Sequence, residues 1–184
     1  MSKQTTEDKA ALRRALLAAR RALDPVRKAE WDAAIGARLL AWWETARPAR
    51  LGVYWPLRGE PDLHAAYAQL AARGAELALP LVVERDSALA FVAWTPGEAM
   101  VEDAMGVAVP AAKRLLARPE ALLVPCVGYN AEGYRLGYGG GYYDRTLETP
   151  PRPATLGIAY ACLAADFDHA PHDIALDRIL TEAS

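Results

Sequence analysis

The sequence predicts an α/β fold in which helices cover both faces of a mostly parallel central sheet. Short apolar, strand-like segments alternate with segments of helical spacing, and this alternation is typical of parallel sheets. The 184 residues suit one domain, expected over residues 1–184, and the 53% of apolar residues supply a core that needs no disulfide. Ligands of such sheets bind beyond the carboxyl ends of the strands, so we expect the functional site there.

Two helices are predicted before the first strand. Thr5 and Asp8 resemble a helix start, and an apolar stripe with helical spacing follows at Leu12, Leu16, Ala19 and Leu23. Asp24 and Pro25 mark the start of the next helix, because aspartate caps free N–H groups and proline fits the first helical position. The apolar face of that helix contains Trp31, Ile35, Leu39 and Trp42.

The later elements alternate between strands and helices. Strands are predicted over residues 50–56, 75–82, 88–94, 121–129, 154–160 and 174–181. Helices are predicted over residues 62–73, over residues 111–120, and from about Tyr142. Residues 100–110 are expected to be irregular with one short strand. The strand at 121–129 is expected to be the most buried.

Composition and charge exclude several classes of protein. The formal net charge of −2 argues against a general nucleic-acid binder, which usually has a strong basic excess. The N-terminus has no apolar signal core, and no apolar run approaches the ~20 residues of a membrane span. Cys126 and Cys162 lie in apolar surroundings, so we expect buried, reduced thiols. These features predict a cytoplasmic protein that binds neither nucleic acid nor a membrane.

The stretch RLGYGGGYYDR, residues 135–145, is the strongest functional signal. Glycines let the backbone approach a ligand closely, and a helix start presents free N–H groups and a positive dipole end. These features favour an anion site, most often for phosphate, with Arg135 and Arg145 available as cations. The alternative is a tight structural loop with stacked aromatic rings.

The loop does not match two common phosphate-binding motifs. It lacks the Lys-Ser/Thr ending of the Walker A loop, and Tyr142 breaks the dinucleotide-binding pattern GxGxxG. A nicotinamide or flavin enzyme is therefore not expected. Asp144 has two interpretations: it stabilises the N-terminus of the following helix, or it holds Mg²⁺ beside a phosphate.

The chain resembles the 5-formyltetrahydrofolate cyclo-ligases, also called methenyltetrahydrofolate synthetases. Four motifs carry this resemblance in order: KAALR at the start, YWPLRGEPD, the VPxxGY strand with its glycine-rich loop, and PHD followed by LDRILTE. The resemblance implies a Rossmann-like three-layer sandwich with the substrates in a central cleft. It also implies an enzyme that uses ATP and Mg²⁺ to close 5-formyltetrahydrofolate into 5,10-methenyltetrahydrofolate, with release of ADP and phosphate.

The resemblance implies a role for each matching residue. Lys9 and Arg13, one helical turn apart, match a phosphate-binding pair, although by themselves they would indicate a solvated basic face. Asp144 and Asp173 match metal-binding positions, and His172 is expected to be a loop histidine. The implied ATP loop consists of Arg135, Leu136, Gly137, Tyr138, Gly139, Gly140, Gly141, Tyr142 and Tyr143. The implied folate contacts are Trp55, Glu60, Tyr138 and Tyr142.

The implied chemistry explains the choice of residue types. Without the resemblance, Trp55 would be assigned to the core and Glu60 to the solvent-exposed surface. With it, Glu60 faces the pterin, whose ring N–H and amino groups suit a carboxylate. In the family mechanism the formyl oxygen attacks the γ-phosphate of ATP, N10 then attacks the same carbon, and phosphate leaves. Such a reaction demands positioning and charge neutralisation more than a protein nucleophile.

The chain departs from the family pattern at two positions of the loop. Many relatives carry arginine or lysine where this chain has Tyr138 and Gly140, so two phosphate-facing charges are missing. This departure leaves a non-catalytic folate- or nucleotide-binding relative as the alternative function. A nucleic-acid-associated relative is disfavoured by the net charge of −2. We expect a monomer whose partners are small-molecule substrates.

Overall fold

The computed structural model describes residues 6–103 and 106–184. The α-helices in this part of the chain are α1 Thr6–Arg21, α2 Pro25–Ala46, α3 His64–Ala72 and α4 Tyr142–Glu148. The predicted cap of α2 forms, because the Asp24 carboxylate accepts the N–H groups of Val26 and Arg27 at 3.1 and 3.0 Å. The start of α1 predicted at Thr5 lies outside the described residues. None of these helices combines the length and the apolar character that a membrane crossing requires.

The described strands build one large sheet and two small ones. Seven strands pair in the order β11-β10-β7-β1-β2-β3-β6. The pairs from β11 to β2 are parallel, whereas β3 and β6 add antiparallel at one edge, so the predicted mostly parallel sheet is confirmed. The strand bounds are β1 Arg50–Gly52, β2 Glu76–Leu81, β3 Ala90–Trp94, β4 Met100–Glu102, β5 Ala108–Pro110, β6 Leu115–Leu116, β7 Ala121–Pro125, β8 Gly128–Tyr129, β9 Arg135–Leu136, β10 Ala154–Ile158 and β11 Arg178–Leu180.

The strand order reverses between β1 and β7. From β1 the chain continues to β2 on one side, whereas β7 leads to β10 and β11 on the other side. In open α/β sheets a crevice opens at such a reversal, beyond the carboxyl ends of the strands. The motif YWPLRGEPD follows β1 and the glycine-rich loop follows β7 by way of the β8–β9 hairpin. The topology therefore brings the two motifs to the same edge of the sheet.

Helices cover both faces of the sheet. Along β7, Ala121 and Leu123 belong to a core cluster that includes residues of α1, α2 and α3. Leu122 and Val124 belong to a second cluster, which includes Leu147 of α4. Successive side chains of a strand point to opposite faces, so β7 is buried on both sides, as its sequence predicts. The three-layer α/β sandwich implied by the resemblance is confirmed.

The prediction of a helix over residues 111–120 is wrong. Leu115 and Leu116 form β6 instead, which pairs antiparallel with β3. Lys113 has a φ of 44°, in the left-handed region that a continuing α-helix does not use. Pro119 disfavours helical backbone at the residue before it. The edge of β3 also supplies hydrogen-bond partners that the spacing of apolar residues does not reveal.

Two smaller predictions also need correction. The described part of residues 100–110 contains two short strands, β4 and β5, which pair antiparallel, where the sequence predicts one strand. Both cysteines are free, and Cys126 is buried as predicted, but Cys162 is exposed. Cys162 lies in the 3₁₀ turn Ala161–Leu163, in which Leu163 is the buried residue. A turn this short buries one side chain and leaves its neighbour in solvent, so apolar neighbours in sequence do not imply burial.

Candidate active site

A cavity of about 610 Å³ opens beyond the carboxyl ends of the central strands. Its volume falls within the range that small-molecule sites usually have. Its floor includes Pro125 at the end of β7, and its walls include the segment after β1 and the glycine-rich loop. All of the site residues implied by the resemblance line this one cavity: Lys9, Arg13, Trp55, Glu60, Arg135, Leu136, Gly137, Tyr138, Gly139, Gly140, Gly141, Tyr142, Tyr143, Asp144 and Asp173.

The glycine-rich loop connects β9 to α4 and uses backbone conformations that favour glycine. Gly139 has a φ of 95° and Gly141 a φ of 65°, both in the left-handed region. A Cβ atom on Gly141 would also lie 2.9 Å from a terminal nitrogen of Arg145. Helix α4, which follows the loop, has only seven residues and therefore a small dipole. The suitability of the loop for an anion comes mainly from its own backbone and from the nearby cations.

Helix α1 supplies a basic wall to the cleft. Arg13 donates from Nε to the Gly137 carbonyl at 2.9 Å, and Lys9 Nζ lies 3.3 Å from Asp173 Oδ2. Both side chains line the cavity, and residues one helical turn apart share a face of the helix. The pair is therefore not a freely solvated basic face, because each member is tied to a segment that borders the cavity.

Arg135 and Asp144 form a largely buried ion pair at the entrance to α4. The Arg135 side chain is 7% exposed, and its terminal nitrogen lies 2.9 Å from Asp144 Oδ1. Arg135 also donates to the Ile174 carbonyl at 3.1 Å, and the Ile174 N–H donates to Asp144 Oδ1 at 3.1 Å. Arg135 thus holds Asp144 in place. The same contact neutralises part of the positive charge of Arg135 before any ligand binds.

Asp173, the other expected metal ligand, is held by α1 and by its own loop. Its Oδ2 accepts the Ala170 N–H at 2.7 Å as well as the Lys9 contact. Burial alone would raise the pKa of Asp173, but the Ala170 N–H and the Lys9 ammonium outweigh it and lower that pKa. His172 Nε2 lies 3.7 Å from Asp173 Oδ1 and its side chain is 75% exposed, as expected for a loop histidine.

The two carboxylates suit a metal that arrives with phosphate better than a metal held by protein alone. Within residues 6–103 and 106–184, no group of three or more histidine, cysteine, aspartate or glutamate side chains is arranged to hold a metal ion. Mg²⁺ is usually bound by one or two carboxylates together with substrate phosphates and water. Asp144 and Asp173 line the same cavity and meet that smaller requirement.

The wall after β1 contains a buried carboxylate and an indole. Glu60 is 3% exposed, which corrects the assignment to solvent that its position in the sequence alone would give. Burial raises the pKa of Glu60, although the Leu57 N–H, the Tyr138 hydroxyl and the Arg20 guanidinium oppose the shift. Trp55 packs edge-on against Trp94 with ring centroids 5.9 Å apart, and it also lines the cavity. Trp55 therefore belongs to the core and to the cavity wall together.

Cations lie close to both positions where the loop lacks a charge. The Arg58 guanidinium carbon lies 5.1 Å from the centre of the Tyr138 ring. Arg145 donates to the Gly140 carbonyl and, from Nε, to the Ser87 carbonyl at 3.2 Å. Arg145 therefore brings positive charge to the Gly140 side of the cavity from one turn into α4, as the sequence predicts for a cation at this loop.

Sequence reasoning missed Arg20, which is 2% exposed. Its guanidinium donates to the Arg58 carbonyl and to the Tyr138 hydroxyl. A signal for its burial was present in the apolar stripe of α1. Arg20 comes four residues after Leu16 and three before Leu23, so it lies on the face that packs inward.

Comparisons with known proteins agree with this geometry. The sequence pattern of the 5-formyltetrahydrofolate cyclo-ligase family matches residues 5–182. The 5-formyltetrahydrofolate cyclo-ligase of Mycolicibacterium smegmatis is 31% identical, with 94% of this chain and 93% of that protein aligned. The cyclo-ligase of Mycoplasma pneumoniae is 29% identical, with 95% of this chain and 99% of that protein aligned.

A solved structure shows the same architecture. The NMR structure of Aquifex aeolicus 5,10-methenyltetrahydrofolate synthetase superposes with a TM-score of 0.83 at 26% identity, and the match covers 96% of this chain and 90% of that one. The pattern match spans nearly the whole chain, and the fold and the cavity agree with it. The chain belongs to the 5-formyltetrahydrofolate cyclo-ligase family, a family of enzymes.

Proposed function

We propose that the protein uses ATP and Mg²⁺ to cyclise 5-formyltetrahydrofolate to 5,10-methenyltetrahydrofolate, with release of ADP and phosphate. One observation carries the proposal: a single cavity of about 610 Å³ contains both the residues expected to bind phosphate and those expected to bind folate. Phosphoryl transfer to a bound substrate needs both ligands in one site with their reacting atoms in line. The names of the relatives support the same reaction.

On the phosphate side, the protein contributes position and charge. The backbone of the glycine-rich loop receives the triphosphate, and Lys9 and Arg13 add charge from α1. Asp144 and Asp173 are the residues that would hold Mg²⁺, which neutralises phosphate charge when it is bound. Arg135 keeps the Asp144 carboxylate oriented through their 2.9 Å contact.

On the folate side, the protein orients the pterin so that its formyl oxygen faces the γ-phosphate. The Glu60 carboxylate accepts hydrogen bonds from the pterin ring N–H and amino groups, and the Trp55 ring supplies an apolar surface. The formyl oxygen attacks the γ-phosphate and ADP departs. N10 then attacks the formyl carbon and loses its proton to water, the C–O bond breaks, and the phosphate leaves with the former formyl oxygen.

No protein nucleophile is required by this scheme. Cys126 is 1% exposed, does not line the cavity, and has its pKa raised to about 12 by burial. A thiol that is inaccessible and protonated does not act as a nucleophile at neutral pH. The absence of a thiolate from the described cavity wall agrees with a reaction driven by positioning and charge.

The proposal is tested by the absorbance of the methenyl product. We expect absorbance to rise only when ATP, Mg²⁺ and 5-formyltetrahydrofolate are all present, and to stay flat when any one is omitted. A folded protein that gives no rise with all three would refute the proposal. If that protein still bound both ligands tightly, the alternative of a non-catalytic relative, suggested by Tyr138 and Gly140, would be favoured.

A further inference from the structure

Arg20 joins three segments that border the cleft. Its Nε donates to the Arg58 carbonyl at 3.1 Å, and one terminal nitrogen lies 3.5 Å from the Cys126 carbonyl. The other terminal nitrogen donates to the Tyr138 hydroxyl at 2.6 Å. One guanidinium thus connects the turn before Glu60, the segment just after β7 and the glycine-rich loop.

The Tyr138 hydroxyl extends this contact to Glu60. A hydroxyl has one proton, and here it is donated to Glu60 Oε1 at 2.8 Å while a lone pair of the same oxygen accepts from Arg20. The other carboxylate oxygen of Glu60 accepts the Leu57 N–H at 2.8 Å. Both oxygens of Glu60 are therefore held, one of them by a chain of hydrogen bonds that begins at Arg20.

The arrangement places two buried opposite charges on either side of one hydroxyl. Arg20 is 2% exposed and Glu60 is 3% exposed, and a buried charge is costly unless a partner compensates it. In addition to its two backbone carbonyl partners, Arg20 directs its shortest bond to Tyr138, the residue of the loop that also contacts Glu60.

We propose that Arg20 is a positioning residue that acts through the Tyr138 hydroxyl on the Glu60 carboxylate, and thereby couples the glycine-rich loop to the folate wall. Arg20 fixes the direction of the Glu60 carboxylate. It also fixes the position of the glycine-rich loop relative to the segment that contains Glu60. This inference rests on the proposed function, because it concerns how the folate side of that site is held.

A double-mutant cycle tests the chain of hydrogen bonds. Tyr138→Phe keeps the ring and removes only the hydroxyl. Arg20→Gln removes the positive charge and the guanidinium with its set of N–H donors. We expect each single variant to raise the Kd for 5-formyltetrahydrofolate about tenfold in calorimetry, since each breaks a charge-assisted bond. The Kd of the double variant should be about equal to that of the single variant that binds more weakly, because both substitutions break the same chain of hydrogen bonds. Arg21→Gln, an exposed neighbour on α1, is the control and should leave the Kd unchanged.

Each result of the cycle supports or overturns the inference. If Tyr138→Phe binds 5-formyltetrahydrofolate as tightly as the wild type, or if the two effects multiply, Arg20 has a structural role alone and the inference fails. If Arg20→Gln does not fold, Arg20→Lys, made with and without Tyr138→Phe, provides the same cycle, because lysine keeps the charge without the fork. A wild-type protein that binds no 5-formyltetrahydrofolate refutes the proposed function as well, whereas multiplying effects in a protein that binds refute this inference alone.

Discussion

Asp144 and Glu60 both line the cavity, but their carboxylates have different surroundings. Asp144 is paired with Arg135 at 2.9 Å, so its negative charge is stabilised before a metal or a phosphate arrives. Glu60 is buried at 3% exposure, and burial raises its pKa. Single substitutions at these two positions should therefore affect different ligands.

We predict that Asp144→Asn lowers turnover at least about tenfold while the protein stays folded, because the amide is a poor Mg²⁺ ligand and a weaker partner for Arg135. Steady-state kinetics across a Mg²⁺ titration would measure this change. Asp166→Asn, at an exposed position outside the cavity lining, is the matched control. Unchanged kinetics of Asp144→Asn at saturating Mg²⁺ would remove Asp144 from the set of metal ligands.

We predict that protonation of Glu60 weakens the affinity for folate as the pH is lowered, and that this loss begins at a higher pH than it would for a glutamate with an ordinary pKa. The carboxylate must be ionised to accept the pterin N–H groups, and its pKa is raised from the usual 4.5. As pH falls through this raised pKa, Glu60 takes up a proton and the affinity for 5-formyltetrahydrofolate weakens. Calorimetric titrations of the wild type and of Glu60→Gln from neutral pH downward would measure this loss. The Glu60→Gln variant should bind weakly and show no such dependence, and a wild-type affinity that changes with pH no more than that of Glu60→Gln would contradict the assignment.

In the proposed function, the glycine-rich loop is the element that receives the phosphates. Its glycines are not equivalent, because they differ in backbone conformation and in the space around a would-be side chain. Gly141 has a φ of 65° and a crowded Cβ position, whereas the Cβ position of Gly137 has no atom within 4 Å and its φ is not in the left-handed region. Substitution of Gly141 therefore tests the contribution of the loop to stability, whereas substitution of Gly137 tests how closely a ligand approaches the loop.

We predict that Gly141→Ala lowers the free energy of unfolding by about 1–2 kcal/mol, because alanine in the left-handed region is strained. Gly137→Ala should leave that free energy unchanged within about 0.5 kcal/mol. If the loop backbone receives phosphate, Gly137→Ala should still weaken ATP binding, since Gly137 lines the cavity and a methyl group there hinders close approach of the ligand to the backbone. Chemical denaturation and ATP calorimetry on both variants would check this. Equal losses of stability in the two variants would contradict the assigned backbone geometry.

Across the whole molecule, the parts that the sequence predicts are those that depend on local pattern. The alternating strands, the capped start of α2 and the glycine-rich loop each have a signal within a few neighbouring residues. The helix predicted over residues 111–120 failed because the edge of β3, about 20 residues earlier in the chain, offers β6 a pairing partner. Cys162 was misassigned because burial depends on tertiary packing and not on the apolar character of neighbours.

The site shows the same division between local and distant information. Its motifs were predicted, yet the burial of Glu60 and the bonds made by Arg20 were not. Arg20 meets Tyr138 across 118 positions of sequence and Arg58 across 38. Contacts of this kind follow from the strand order and not from spacing along the chain, so a single sequence does not reveal them.

The strand order predicts where stability is concentrated. Leu123 of β7 is 1% exposed at the centre of the sheet, whereas Leu115 of β6 is 69% exposed at its edge. We predict that Leu123→Ala lowers the free energy of unfolding by about 2–5 kcal/mol and Leu115→Ala by less than about 0.5 kcal/mol. Denaturant titrations followed by circular dichroism would compare them. Similar losses in both variants would contradict the central position of β7.

The central claim is that the cavity activates the formyl oxygen by phosphoryl transfer from ATP. The most direct test uses 5-formyltetrahydrofolate labelled with ¹⁸O in the formyl group, followed by phosphorus NMR of the released phosphate. Because the former formyl oxygen leaves with the phosphate, we predict one ¹⁸O atom in each phosphate molecule formed. Inorganic phosphate that carries no label, formed alongside the methenyl product, would contradict the account.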